Sequence, residues 1–319
     1  MPTTADCGEP TLLPPGATNA IGRMLGLLGD EWNLHIVRQA LLRATRYTQF
    51  MTHLSISNSV LTNRLQTLVD NQLLTRKTYE STRARTEYLT TARSRSLWTV
   101  LLSIWAWELT WVVENPGRLP QAIHKTCGQA FMPVLRCGNC HSYAAAEDIA
   151  IELGPSGEWG RSVPAATTRR RSDSVQQGDG LFPETMSMFG NRWAAALLFA
   201  AFLGTTRFND FQCQLAAPPS LLAERLQTFC ALGVLTTEPT EPTELSGPER
   251  AAYLLTAKGR AFFPVLVAAL QWAQRWYRAP EGPAMTLTHL ACGAGFTGEL
   301  ACDQCNCRLS HADLAPGIA

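Results

Sequence analysis

The 319-residue sequence predicts a mainly α-helical fold with small β wings, built as one helical unit written twice, each copy followed by a small Cys/His ribbon. Three observations carry that prediction. The chain matches itself at an almost fixed offset, its apolar residues recur at helical spacing within each copy, and one Cys/His pattern appears after each copy.

At an offset of 161, Leu25 to Trp32 (LGLLGDEW) lies over Met186 to Trp193 (MSMFGNRW), and Arg46, Phe50, Leu54, Arg64, Leu65, Gln66 and Thr67 fall on Arg207, Phe211, Leu215, Arg225, Leu226, Gln227 and Thr228. Beyond about residue 75 the offset becomes 165, which places Tyr88, Thr91, Trp107 and Trp111 on Tyr253, Thr256, Trp272 and Trp276. The four extra residues fall where the second copy is rich in Pro, Glu and Thr, a composition suited to a hairpin tip. The boundaries that follow are a first unit at 20–113 with its ribbon at 114–153, a linker at 154–180, a second unit at 181–278 and its ribbon at 279–319. The linker is assigned on its Gly, Pro, Ser and Gln content, and its Arg169 to Arg171 run reads as a solvated face.

Within the first unit, Ile21, Leu25, Leu28 and Trp32, then Leu34, Val37, Leu41 and Leu42, mark two short helices. A third runs from Arg46 to Leu54. A Ser/Asn-rich turn follows, and Val60, Leu61, Leu65 and Leu68 form the stripe of a fourth, with Ser57 as its N-cap. LLTRKTYESTRARTEYLTT then reads as two strands around a basic tip, and an apolar helix from Leu97 to Val113 with four tryptophans closes the unit. An apolar helix of that kind needs a partner, so it is the expected joint between the copies. Helix, turn, helix and hairpin in this order is the winged helix-turn-helix arrangement, in which the second helix of the pair enters the major groove and the wing reaches phosphate or minor groove.

Composition sets the class. With 46% hydrophobic and 17% charged residues the chain can bury two cores, and no apolar run reaches the length of about eighteen needed to span a membrane. The N-terminus lacks a basic then apolar leader pattern, so a cytoplasmic protein without a membrane partner is expected. A net charge of +1 is no signature of a nucleic-acid binder, which leaves local charge and motif to carry that case. No nucleophile elbow, phosphate-binding glycine loop or isolated carboxylate pair supports an enzyme.

LGDEW, RYTQF and RFNDF, SVLTNRL and SLLAERL, the wing ending EYLTT, and YLLTAKG followed by an apolar helix resemble the HxlR family of winged helix-turn-helix regulators. The resemblance covers nearly all of both copies. It implies two winged helix-turn-helix domains in one chain, a covalently linked pseudo-dimer of a family whose members usually carry one domain and pair through terminal helices. It further implies double-stranded DNA as partner. The first copy departs from the family in reading TARS where the second has TAKG.

On the fourth helix the positions off the apolar stripe are Ser57, Asn58, Ser59, Thr62 and Asn63, able to bond base edges or phosphate. Lys77, Arg83 and Arg85 belong to the wing, and Arg64 is a further candidate for which a structural ion pair is the rival reading. In the second copy Ser220 and Arg225 hold matching positions, but Pro218, Pro219, Ala223 and Glu224 surround them and four glutamates replace the basic wing. Residues 20–113 hold eleven Lys/Arg against six Asp/Glu, and residues 181–278 eight against seven, so the first copy is expected to supply most of the DNA affinity.

After each closing helix comes His, two residues, Cys, nine residues, Cys, two residues, Cys: His124, Cys127, Cys137 and Cys140, then His289, Cys292, Cys302 and Cys305. Two thiolate-bearing pairs of this spacing can close a tetrahedron around zinc, and four protein ligands leave no open position for chemistry, so two structural Zn2+ ions are expected, one per knuckle. A redox thiol pair is the rival, and His141 or Cys307 are alternative ligands that do not recur in the other copy. The competing overall reading is a small-molecule-sensing or protein-interaction module built from degenerate winged helices, with an effector pocket between Trp-rich helices. A homodimer is left open.

Overall fold

The computed structural model describes residues 8–79, 85–112, 119–162, 182–189, 192–239 and 251–313. Arg83, the Arg169 to Arg171 run, and Glu241, Glu244 and Glu249 of the second wing lie outside the described residues.

The first copy runs α1 (Ala20–Leu28), α2 (Glu31–Leu41), α3 (Tyr47–His53), α4 (Asn58–Asp70), the wing strands β2 (Leu74–Tyr79) and β3 (Arg85–Thr90), the one-turn α5 (Ala92–Arg95) and α6 (Trp98–Trp111), with a short β1 (Thr11–Leu12) ahead of it. After the strands β4 (Pro133–Cys137) and β5 (Ile149–Leu153) and the short α7 (Trp159–Ser162), the second copy repeats the order. It comprises α8 (Pro183–Phe189), α9 (Arg192–Phe202), α10 (Phe208–Leu215), α11 (Pro219–Ala231), β6 (Leu235–Pro239), β7 (Ala251–Leu255), α12 (Ala257–Arg260) and α13 (Phe263–Trp276). It ends in β8 (Tyr277–Arg278), β9 (Met285–His289) and β10 (Gly298–Cys302). The fold is mainly helical with two-stranded sheets, and each helical unit has the winged helix-turn-helix order.

Local chemistry sets the element ends. Asp30 caps α2 by accepting the Asn33 N–H at 3.1 Å, and Ser57 caps α4 through Val60. Phe50, Leu61, Leu65 and Leu68 are fully buried between α3 and α4, as their spacing requires. Thr91 and Thr256 cap α5 and α12, so TARS and TAKG form the same one-turn helix despite their difference.

The Trp-rich closing helices join the copies. Helix α6 packs against α13, α1 of the first copy against α13 of the second, and α8 of the second against α6 of the first. Trp105, Trp107, Trp272 and Trp276 are buried there, each removing a large apolar surface from water. This exchange of contacts is that of an isologous dimer, folded within one chain. None of the described helices is long and apolar enough to cross a membrane.

Two boundary expectations need correction. The composition of residues 154–162 predicts the start of a linker, yet they are packed structure. A Cβ on Gly154 would meet the Pro283 carbonyl oxygen at 2.3 Å and one on Gly157 the Ala284 oxygen at 2.3 Å. Buried Asn19 ties α7 to α1 by donating to the Ser156 carbonyl and the Ser162 hydroxyl. The glycines serve close backbone approach rather than chain freedom. The second correction concerns the ribbons, which are not one per copy: β4 pairs antiparallel with β10, and β5 with β9.

Candidate metal centres and nucleic-acid interface

The eight ligand candidates gather into two groups, each drawn from both copies. His124 and Cys127 stand with Cys302 and Cys305, and Cys137 and Cys140 with His289 and Cys292. Sequence spacing predicts that each knuckle closes on its own four ligands; the structure mixes the copies, and the β4 and β10 pairing explains why. Cys137 lies opposite Gly298 and Cys302 opposite Pro133, so the two Cys-x-x-Cys turns sit at opposite ends of an antiparallel ladder. The His124 turn leads into the Pro133 end of β4. Its own Cys137 is four residues further on, about 13 Å along the strand, while the partner strand delivers Cys302 to the near end. Reciprocal backbone clasps fix the register: Met132 N–H donates to the Asp303 carboxylate and Asp303 N–H to the Met132 carbonyl at one end, and Gly138 N–H to the Thr297 carbonyl at the other.

Distances within each group suit a tetrahedral ion. His124 Nδ1 is 3.3 Å from both Cys127 Sγ and Cys305 Sγ, and Cys127 Sγ is 4.0 Å from Cys302 Sγ. His289 Nδ1 is 3.2 Å from Cys292 Sγ and 3.4 Å from Cys140 Sγ. Tetrahedral zinc with ordinary bond lengths sets nitrogen and sulfur about 3.5 Å apart and two sulfurs about 3.8 Å apart. Both imidazoles are buried and turn Nδ1 toward the thiols, which makes Nδ1 the ligand atom in each group. Gly128 and Gly293 take positive φ (70° and 67°) in the turns between His and ribbon, where their N–H groups bond back to the His124 and His289 carbonyls. His141 and Cys307 belong to neither group.

The thiols are prepared unequally. Hydrogen bonds from the Ser142 hydroxyl and backbone bring Cys140 down to about 6, and the Cys307 backbone N–H brings Cys305 to about 7. Burial pushes Cys302 up to about 11, a cost that a bound cation would offset.

On the first head, Ser57, Asn58, Ser59, Thr62 and Asn63 are exposed along one face of α4, with Gln66 a turn beyond. Lys77 and Arg85 are exposed on the wing strands, beside Arg76. Arg64 makes the ion pair that was its rival reading: its guanidinium packs, mostly buried, against Asp30, Nη2 to Oδ2 at 2.8 Å and Nε to Oδ1 at 3.1 Å, and so links α4 to the cap of α2. Sequence reasoning missed Tyr47. Its hydroxyl lies 3.0 Å from the Asn58 carbonyl and side-chain oxygens and 3.3 Å from the Thr62 hydroxyl, which orients the start of α4 from α3. The signal was in the repeat, where position 47 is tyrosine in one copy and phenylalanine (Phe208) in the other.

The second head differs. Helix α11 begins at Pro218 and Pro219 without a side-chain cap. Ser220 is exposed, and Arg225 pairs with the neighbouring Glu224 at 3.3 Å. On β6, exposed Glu238 stands where the first wing has Lys77.

Among proteins similar to this chain, the HTH-type transcriptional regulator MT3179 of Mycobacterium tuberculosis (strain CDC 1551 / Oshkosh) is 32% identical over 131 residues, 41% of this chain and 80% of that protein. YvaP of Bacillus subtilis (strain 168), also an HTH-type transcriptional regulator, is 32% identical over 99 residues, 30% of this chain and 85% of its own. The solved structure of PA1607 aligns at 30% identity over 40% of this chain and 87% of its own, with a TM-score of 0.36. The HxlR-like helix-turn-helix family matches residues 27–116 and again 188–281, more than half of the sequence, and the chain therefore belongs to that family, with two of its domains in tandem.

Proposed function

We propose that the chain is a sequence-specific DNA-binding transcription regulator whose two family domains form an intramolecular pseudo-dimer held by two structural zinc ions. Membership of a regulator family sets an enzymatic role aside. The observation that carries the reading is the first head: a helix capped by Ser57 offers Asn58, Ser59, Thr62 and Asn63 to one side, flanked by Arg76, Lys77 and Arg85 on the wing strands. Amide and hydroxyl groups on such a helix can bond base edges in the major groove, and the wing cations can neutralise phosphate. A cytoplasmic location goes with this reading, since the protein must meet DNA.

Zinc is the ion that the donor set favours, since three thiolates and one imidazole at tetrahedral spacing suit a borderline-soft cation without an open coordination position. His124, Cys127, Cys302 and Cys305 would hold one ion and Cys137, Cys140, His289 and Cys292 the other. Bound there, the ions supply crosslinks rather than reactivity.

A second reading, small-molecule sensing, draws on one observation. A cavity of about 770 Å³ lies between α13, the start of α6 and the ribbon strands, lined by Trp98, Trp272, Gln271, Arg275, Phe296 and Leu300 among others. That volume suits a drug-sized effector. It is compatible with a regulator whose DNA affinity responds to a ligand.

The test is selection of bound sites from random duplex DNA, followed by affinity against salt. A preferred site, with affinity falling steeply between about 50 and 200 mM salt, supports the reading. Salt-independent or undetectable binding refutes it.

A further inference from the structure

We propose that the chain reads DNA with one head only, so that its operator is a single asymmetric half-site rather than the inverted repeat that a symmetric dimer of such domains would take. The inference rests on the DNA-binding reading above and sharpens its partner.

The scaffold is close to twofold. Trp107 and Trp272 make equivalent contacts across it, and the ribbons cross reciprocally. A symmetric dimer presenting two equal recognition helices reads two half-sites about one helical turn apart. Here the frame is symmetric and the reading surfaces are not.

Of the exposed polar positions on α4, the second helix keeps Ser59 as Ser220 and Gln66 as Gln227 and loses the rest. Asn58 becomes Pro219, Thr62 becomes Ala223 and Asn63 becomes Glu224, whose side chain is 64% exposed. Proline and alanine offer no side-chain hydrogen bond, and an exposed carboxylate beside phosphate is repelled. The supports are lost as well. Ser57, which caps α4, becomes Pro218, and Tyr47, whose hydroxyl holds Asn58 and Thr62, becomes Phe208. On the first wing strand Lys77 becomes Glu238 and Arg76 becomes Thr237. Each change alone is tolerable on a solvated surface. Together they remove most of the donors, the cap, the buttress and the two cations of the first wing strand from one head, while Arg85 recurs as Arg250 and buried counterparts of the core, such as Phe50 and Phe211 or Leu65 and Leu226, keep their character.

The experiment compares matched variants of the full chain on the DNA duplex recovered by site selection, with thermal melting to show that each variant folds. Asn63→Ala is expected to weaken binding tenfold or more, and Glu224→Ala to leave it unchanged or improve it. A designed gain is the second arm: Glu224→Asn with Glu238→Lys should raise affinity for an inverted repeat of the selected site at least threefold, with no comparable gain on the single site. Equal losses from Asn63→Ala and Glu224→Ala, or recovery of a perfect inverted repeat bound by one wild-type chain, would overturn the single-head proposal and leave the DNA-binding reading standing. Failure to select any site overturns both.

Discussion

Trp107 donates its indole N–H to the backbone carbonyl of Lys258, 3.1 Å away in the other half of the chain. The repeat returns the contact, Trp272 to the carbonyl of Arg93 at 2.9 Å. Each indole therefore satisfies the one-turn helix of the opposite copy, and a cation on each of those helices sits over a tryptophan of the other copy, Lys258 over Trp107 at 5.5 Å and Arg93 over Trp276 at 5.2 Å. Each copy thus supplies the contacts that the other copy's one-turn helix needs, within one chain.

The joint can be weighed by substitution. Trp107→Phe keeps most of the apolar area and removes the N–H, leaving the partly buried Lys258 carbonyl without its indole partner, which costs about 1 kcal/mol. Trp272→Phe should cost a similar amount by the same route. Urea denaturation of both variants is the measurement, and a change of under about 0.3 kcal/mol for either would show that water replaces the indole. Light scattering is expected to give the mass of one chain, because the dimerising helices are already paired with each other.

Arg64 and Asp30 give the second expectation. Asp30 both caps α2 and holds Arg64, so Asp30→Ala removes a cap worth about 1 kcal/mol together with a partner of a half-buried guanidinium. A total loss of about 1–3 kcal/mol is expected on chemical unfolding. In the second copy the position of Asp30 is Asn191, and Arg225 turns to Glu224 instead. Glu224→Ala should therefore change stability by less than Asp30→Ala.

His35 supplies a pH dependence. Burial, with Arg38 nearby adding repulsion, lowers it from 6.5 to about 4, so the folded chain holds it neutral where the unfolded chain would protonate. Between those two values the unfolded state binds more protons, and stability falls as pH drops from about 6.5 towards 4. His35→Gln should flatten that part of the stability profile. Urea titrations at pH 7 and pH 5 read the difference, and an unaltered slope in the variant would assign the pH effect to other groups.

Much of this was legible beforehand because the repeat sorts residues by role. Phe50 and Phe211, or Leu65 and Leu226, recur since a core position admits little else, and the exposed faces of α4 and α11 diverge since solvent imposes no such limit. Gly154 and Gly157 misled, because composition does not distinguish a glycine that frees the chain from one pressed against a carbonyl. The partition of the ligands was illegible for a different reason. His124 and Cys127 have the spacing of His289 and Cys292, so either pair can join either Cys-x-x-Cys turn as far as sequence is concerned. Only the antiparallel register of β4 and β10 decides which thiols meet.

That partition makes a count that separates the two arrangements. With ligands shared across copies, Cys127→Ser with Cys305→Ser damages one site twice and leaves the other intact, whereas Cys127→Ser with Cys140→Ser strikes both. Metal analysis of the purified chains should then give two zinc ions in the wild type, one in the first double variant and none held tightly in the second. Closed knuckles confined to each copy would reverse the two variants. The energetics should follow the same lines. An ion held at either group would tie residues near 125 to residues near 303, or residues near 139 to residues near 290, so that it would close a loop through most of the second copy and its loss would free the halves to separate. Chelation of the wild-type chain is accordingly expected to weaken contact between α6 and α13 as well as the ribbons, read as increased hydrogen exchange along α13. Exchange that rose in residues 285–305 while α13 stayed fully protected would confine the ions to local support of the ribbons.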